Sequence, residues 1–215
     1  MSRVVFQTAR LLHEHHRARL RSHPLLADPN YLRTCADAVG ITCGTRRVVL
    51  FLDGTRRPIC RPGTAQHKKY FSGHKWYYAI NFQAASAPDG LILYLTGPHL
   101  GSRGDSRLFL RDPLVLPAGC AVLADTAYRT HHPVVRTTNN TERMARVAVE
   151  WSFGQVVEMF RYLTVKRAQL VRLTRPGLMY AVAVLLYNSR VCLRGGGPAA
   201  TYFNLPPPTI DEYFA

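Results

Sequence analysis

Only 13 of the 215 residues are Asp or Glu, against 28 Lys and Arg, and four of those acids stand where a fold can bring carboxylates together. Asp53 closes the apolar run "VVLFLDG" and has arginines on both sides in "RRVVLFLDGTRRPICRP". Asp105 stands in "GSRGDSRLFLRDPL", Asp125 ends "GCAVLADTAY", and Glu150 lies within "TERMARVAVEWSFGQVVEMFRYL". Two carboxylates ~4 Å apart repel by about 4 kcal/mol at an effective dielectric near 20, so a gathered set must share a proton or bind a cation. Hard oxygen ligands suit Mg²⁺ or Mn²⁺, and a pair of such ions can hold the attacking and leaving oxygens of an in-line phosphoryl transfer. Each acid also has an ordinary reading. Asp53 can pair with Arg56 or Arg57, Asp105 can serve the first turn of a helix, Asp125 can be a turn residue, and Glu150 can pair with Arg146 one turn earlier for about 0.3 kcal/mol. All four together would require coincidence.

The bases have their own pattern. Arg56, Arg57, Arg61, Lys68, Lys69 and Lys75 fall in a loop-rich span after the first apolar run, interleaved with His67, Tyr70, His74 and Trp76. Phosphate contacts need such cations, and aromatic neighbours can stack on frayed bases. A net charge of +15 and a pI near 10.2 favour a polyanionic partner, DNA ahead of an anionic membrane. The longest apolar run, "GLMYAVAVLLY", is too short to span a bilayer and predicts a buried helix. A polar, basic opening predicts no secretory leader. Five scattered cysteines without a C-x-x-C pair indicate neither a disulfide framework nor a zinc knuckle, which fits a reducing compartment. His13 to His16, "HEHH", read as a solvated helix face, and the Asn139-Asn140-Thr141 sequon carries little meaning without a leader.

The elements that must position these residues form a mixed α/β pattern. Residues 1–46 read as a basic helical lead-in ending in "GITCGT", and 47–215 as one domain with a sizeable core. "VVLFLDG", "KWYYAINFQAAS" and "GLILYLTGP" predict three successive strands, the first ending at Asp53. "GSRGDSRLFLRDPL" predicts a short helix, and "GCAVLADTAY" a fourth strand ending at Asp125. After the loop "RTHHPVVRTTNN", a long helix is expected with Asn139 as N-cap and Glu142 three residues on. Met144, Val147, Val149, Trp151, Phe153, Val156, Val157 and Phe160 would bury most of that helix and leave a narrow polar stripe of Arg143, Arg146, Glu150 and Gly154. A second helix is expected to open at Thr174 and Pro176, and the tail "FNLPPPTIDEYFA" to lie extended on the domain.

As a set, "FLDGTRRPICRP", "YFSGHKWYYAINFQAASAPDGLILYLTGPHLGSRGDSRLF", "LADTAY", "RVAVEWSFGQVVEMFRYL" and the ending "LLYNSR…YFNLPPPTIDEYF" resemble the DDE endonucleases of PIF/Harbinger-type transposases over residues 47–215. The resemblance implies an RNase H-like fold, a mixed sheet flanked by helices, in which metal-bound acids cut DNA strands and join the ends. It places Asp53 as the first acid and Glu150 as the last, with Asp105 or Asp125 as the middle one. Two positions depart from it: Gly104 stands where relatives usually have histidine, and Ala124 where they usually have glycine. The segment between Asp125 and Glu150 is short for the family. No complete helix-turn-helix is visible in residues 1–44, so the resemblance suggests a separate Myb-like protein for target choice.

These readings lead to a divalent-metal-dependent DNA endonuclease acting in the nucleus, with the cytoplasm as the other location. Because the fourth strand of such a sheet lies beside the first, topology favours Asp125 over Asp105 as the inner metal ligand. The rival reading is a domesticated derivative that binds DNA or a partner without cutting; a ribonuclease on the same fold is a third. Association into a homo-oligomer stays open.

Overall fold

The computed structural model describes residues 2–63, 65–73, 75–128 and 132–215. His74 and part of the loop after Asp125 therefore lie outside the described residues. The elements in chain order are α1 (Arg3–Arg21), α2 (Pro29–Cys43), β1 (Val48–Pro58), β2 (Phe71–Ser72), β3 (Tyr77–Ser86), β4 (Ile92–Leu100), α3 (Asp105–Arg111), β5 (Ala121–Ala124), β6 (Val134–Arg136), α4 (Asn140–Met159), α5 (Pro176–Arg194), α6 (Pro198–Phe203) and α7 (Ile210–Phe214). The sheet runs β4-β3-β1-β5-β6, with β2 added at the start of β3. β1, β3 and β4 pair antiparallel, while β5 and β6 continue the sheet parallel to β1. Helices flank it. The result is the mixed, curled sheet of an RNase H-like fold.

The order of strands places the chemistry. Parallel pairing of β1 with β5 sets Leu52 beside Ala124, so Asp53 and Asp125 follow the last paired residues of the two strands. Antiparallel pairing with β3 sets Asp53 opposite Ala84 and Gly54 opposite Gln83. The core of this sheet is apolar and dense: Val48, Leu50, Phe51, Leu52, Val122 and Leu123 are all buried.

Several boundaries differ from those read in the sequence. β1 does not end at Asp53; its pairing with β3 continues residue by residue to Pro58 opposite Ala79. Asp53 is therefore mid-strand, and Arg56 and Arg57 belong to a strand, not a loop. Cross-strand pairing overrides the polar composition that suggested a turn. α4 starts as expected, with the Asn139 side chain accepting the Glu142 N–H at 2.8 Å. Its buried side is narrower than the run of apolar residues implied. Glu142, Ala145, Ser152, Phe153 and Val156 are buried, whereas Met144 is 60% exposed and Trp151 38%. Helical spacing fixes one stripe against the sheet, and apolar side chains outside it face water. Thr174 does not cap α5. Its hydroxyl accepts the Leu170 N–H at 2.9 Å, and the residue before Pro176 is Arg175 in a left-handed conformation at φ 43. The tail ends in a turn of helix, α7, opened by a capping box of Thr209 and Glu212.

The lead-in helices pack on the sheet and on α5: α1 against α5 and β4, α2 against β1. The Arg19 guanidinium donates to the carbonyls of Phe214 (2.7 Å) and Ala215 (2.8 Å), and the buried His23 ring meets the Tyr213 carbonyl at 3.0 Å. The two ends of the chain thus hold each other. By length and composition α5 could cross a membrane, yet 67% of its most apolar stretch is buried within the protein, where Tyr180, Val184, Leu185 and Asn188 meet other parts of the core.

Asp89, in the turn between β3 and β4, is completely buried. One carboxylate oxygen accepts the Tyr31 hydroxyl of α2 at 2.6 Å and the other the Leu91 N–H at 2.9 Å. Burial nevertheless pushes its pKa from 3.8 up to about 6. Because the folded value is the higher one, the fold is favoured by protonation, and that contribution is lost as pH rises through about 6. The neutral isostere Asp89→Asn should therefore gain on the wild type between pH 4 and pH 7.5, by on the order of 2–3 kcal/mol. Urea melts at the two pH values test this; curves that move in parallel would show that Asp89 does not titrate there.

Candidate active site

Asp53 leaves the middle of β1 toward α4. Its Oδ1 lies 3.2 Å from Nη1 of Arg146, and Nη2 of the same guanidinium donates to Glu150 Oε1 at 3.4 Å. One cation thus joins the strand acid to the helix acid. α4 crosses the sheet over β1, and Arg146 and Glu150 lie one turn apart on it, so both reach the same strand position. Arg146 is largely covered, its side chain 16% exposed, while that of Glu150 is 53% exposed. Nη1 is buried with no hydrogen-bond partner among the described residues, so its attraction to Asp53 is charge without good hydrogen-bond geometry.

Asp105 joins from the other side. It is the first residue of α3, and its carboxylate rests against Gly54: a Cβ there would lie 2.7 Å from Asp105 Oδ1. Arg56 Nη2 donates to Asp105 Oδ2 at 3.2 Å. Behind it the fully buried Gln83 donates through Nε2 to the Asp105 carbonyl at 2.6 Å and to the Tyr128 hydroxyl at 3.2 Å. Burial, then the charges of Asp105 and Asp53, push the Tyr128 hydroxyl well above its ordinary range. Asp53 responds to the same crowding. Burial raises its pKa, the Arg146 guanidinium and the Gly54 N–H pull it back, and the charges of Glu150 and Asp105 add to the rise.

Asp125 is placed beside β1 as the topology required, but its carboxylate is engaged locally. Oδ1 accepts the Thr126 N–H at 2.6 Å and the Thr126 hydroxyl at 3.2 Å. Among the described residues no three His, Cys, Asp or Glu side chains converge in the arrangement of a ready-made metal site. What the fold assembles is Asp53 and Glu150 on one guanidinium, and Asp105 beside Asp53.

A cleft of about 460 Å³ opens on this group, lined by Asp53, Glu150, Arg56, Arg57, Lys75 and Tyr77 among others. Three of the six bases singled out in the sequence thus face the acids. Arg57 is held in place, donating to Thr55 Oγ1 at 2.6 Å with its guanidinium 5.1 Å from the centre of the Tyr180 ring. Arg61 lies over Tyr78 beside a different pocket, and Lys68 and Lys69 are exposed on the turn before β2. Trp76 is 82% exposed next to Lys75 and has φ 56, a conformation bulky residues rarely adopt. The link from Arg146 to Asp53 was not read from the sequence, where Arg146 served only Glu150. Its sequence signal was a base one turn before the last acid.

The family model of the DDE superfamily endonucleases matches residues 52–188. The chain belongs to this family. The span carries Asp53, Asp105, Asp125 and Glu150, so the match covers all four candidate acids. No curated protein and no solved structure matches the chain.

The contact of Asp105 with Gly54 makes a testable demand. Gly54→Ala forces a methyl group into the carboxylate and should destabilise the protein by about 1–3 kcal/mol. In an Asp105→Ala background the obstacle is gone and the same substitution should cost much less. Equal costs in the two backgrounds, measured by urea unfolding in a double-mutant cycle, would show that the two residues do not touch.

Proposed function

We propose that this chain is the catalytic domain of a divalent-metal-dependent DNA endonuclease of the PIF/Harbinger transposase type. The observation that carries the reading is the meeting of Asp53 and Glu150, from a strand and a crossing helix, on a single cation. Their chemistry fits the metal: two carboxylates of hard oxygen, with a third close by, are a usual protein share of a Mg²⁺ or Mn²⁺ site that also uses substrate phosphate. Asp53 and Glu150 would hold the ion, Asp105 would add a ligand from its seat on Gly54, and Asp125, whose Oδ1 already accepts from Thr126, would be the outer acid. A bound ion would supply Lewis-acid polarisation of the phosphodiester and a more acidic attacking water.

The chain's own residues would handle the DNA. Arg56, Arg57 and Lys75 line the cleft and offer cations to the phosphate backbone, with Arg61, Lys68 and Lys69 extending the basic surface outside it. Trp76 offers an exposed ring to a base at a cut end. Phosphate contacts fix register without reading sequence. Target choice would then rest with a separate DNA-reading protein of the Myb-like kind, and the setting would be the nucleus.

Cleavage of plasmid and oligonucleotide DNA should appear with Mg²⁺ or Mn²⁺ and vanish with EDTA. Asp53→Asn and Glu150→Gln should each abolish it while DNA binding stays intact or tightens slightly, because each removes a negative charge beside the phosphate. Wild-type rates in either variant would falsify the assignment, and DNA binding with no metal-dependent cutting at all would favour a binding protein instead. For the middle acid, calorimetric Mn²⁺ titration should show the larger loss in Asp105→Asn; a loss confined to Asp125→Asn would restore the topological choice.

Binding to duplex DNA should weaken steeply with salt, with a log-log slope of about −0.9 per phosphate neutralised. Arg57→Ala combined with Lys75→Ala should flatten that slope by roughly 2. An unchanged slope would remove the cleft from the DNA path.

A further inference from the structure

Arg146 stands where the proposed ion would. Its guanidinium lies 3.2 Å from Asp53 and 3.4 Å from Glu150, and only 16% of its side chain is exposed. Neither contact is an ideal charge-assisted hydrogen bond, which favours distances of about 2.7–2.9 Å. Nη1 in particular is buried and has no hydrogen-bond partner among the described residues. A cation that is covered, central to two carboxylates and loosely bonded to both neutralises them while remaining displaceable. Glu150, half exposed, leaves a side of the group open to the cleft, where an ion could enter.

We infer that Arg146 is a resident counter-cation which holds Asp53 and Glu150 together in the metal-free protein and must give way when a divalent ion binds. This rests on the metal-binding role proposed above for the two acids. Electrostatics supplies the reason for such a device. Two carboxylates brought together on a rigid scaffold destabilise an empty site, and a built-in positive charge removes that cost until the ion arrives. The consequence is a threshold: the ion must compete with an intramolecular ligand, so metal affinity in the wild type is lower than the carboxylates alone would give. The displaced guanidinium stays tethered to α4 beside the cleft, where a DNA phosphate would be its next partner.

The test is Mn²⁺ binding, followed by electron paramagnetic resonance of free Mn²⁺ and by thermal melts in EDTA and in Mn²⁺, without any cleavage readout. Arg146→Gln should bind Mn²⁺ about 10-fold more tightly than the wild type, melt lower in EDTA, and recover most of the difference when Mn²⁺ is added. Arg143→Gln removes the same charge from an exposed position one turn away and should change affinity by no more than about 2-fold. Arg146→Lys keeps the charge and should lie between the wild type and Arg146→Gln, which also covers the case in which Arg146→Gln fails to fold in EDTA. If wild-type binding is lost in Asp53→Asn but Arg146→Gln binds no more tightly than the wild type, the inference fails and the metal site stands. If no variant shows binding that depends on Asp53, the metal site and the inference fail together.

Discussion

Carboxylates gathered at one place on a sheet repel, and the repulsion must be balanced before the fold can hold them. In this chain the balance comes from arginines. Arg146 lies between Asp53 and Glu150, and Arg56 pairs with Asp105. Much of the architecture serves to deliver these groups: β1 carries Asp53, α4 crosses it with Arg146 and Glu150, and α3 begins with Asp105 against Gly54. A covered ion pair of this kind contributes little net stability, but removing one partner is costly because it leaves a buried charge alone. The arrangement therefore constrains function more than it stabilises the fold.

Stability comes from elsewhere. The apolar strands of the sheet are buried on both faces, by α4 and α5 together with the helices of the N-terminal segment. The ends of the chain close on each other through Arg19 and His23 at the carbonyls of α7. Burial lowers the His23 pKa to about 4, so the ring is neutral at physiological pH and can donate one N–H to Tyr213 while accepting from Leu25. With the core fixed in this way, the edge where β1, α3 and α4 meet is free to carry charges that the interior would not tolerate.

A good part of this was legible in the residues. Asn139 announced the start of α4 because an amide side chain before a helical pattern caps the first turn. "GCAVLADTAY" gave β5 and the position of Asp125 after it, and the order of elements put that strand beside β1. The extent of β1 was hidden, since Thr55, Arg56 and Arg57 look like a loop until β3 is known to pair with them as far as Pro58. The exposure of Met144 and Trp151 was hidden too, because an apolar residue on a helix reads as core until the stripe that meets the sheet is known. Helix spacing linked Arg146 to Glu150 but says nothing of a partner across the sheet, so the contact with Asp53 appeared only in three dimensions. The local turn of Asp125 onto Thr126 belongs to the same class: strand adjacency places a Cα, not a carboxylate.

The fold brings Asp53 and Glu150 to one guanidinium beside the basic cleft, the point where the proposed ion would bind. The most direct measurement is anomalous diffraction from crystals of the protein soaked in Mn²⁺. The expected result is a peak within ligand distance of the Asp53 and Glu150 carboxylates, with the Arg146 guanidinium moved off them. A peak elsewhere, or none while Arg146 still bridges the two acids at saturating Mn²⁺, would contradict it.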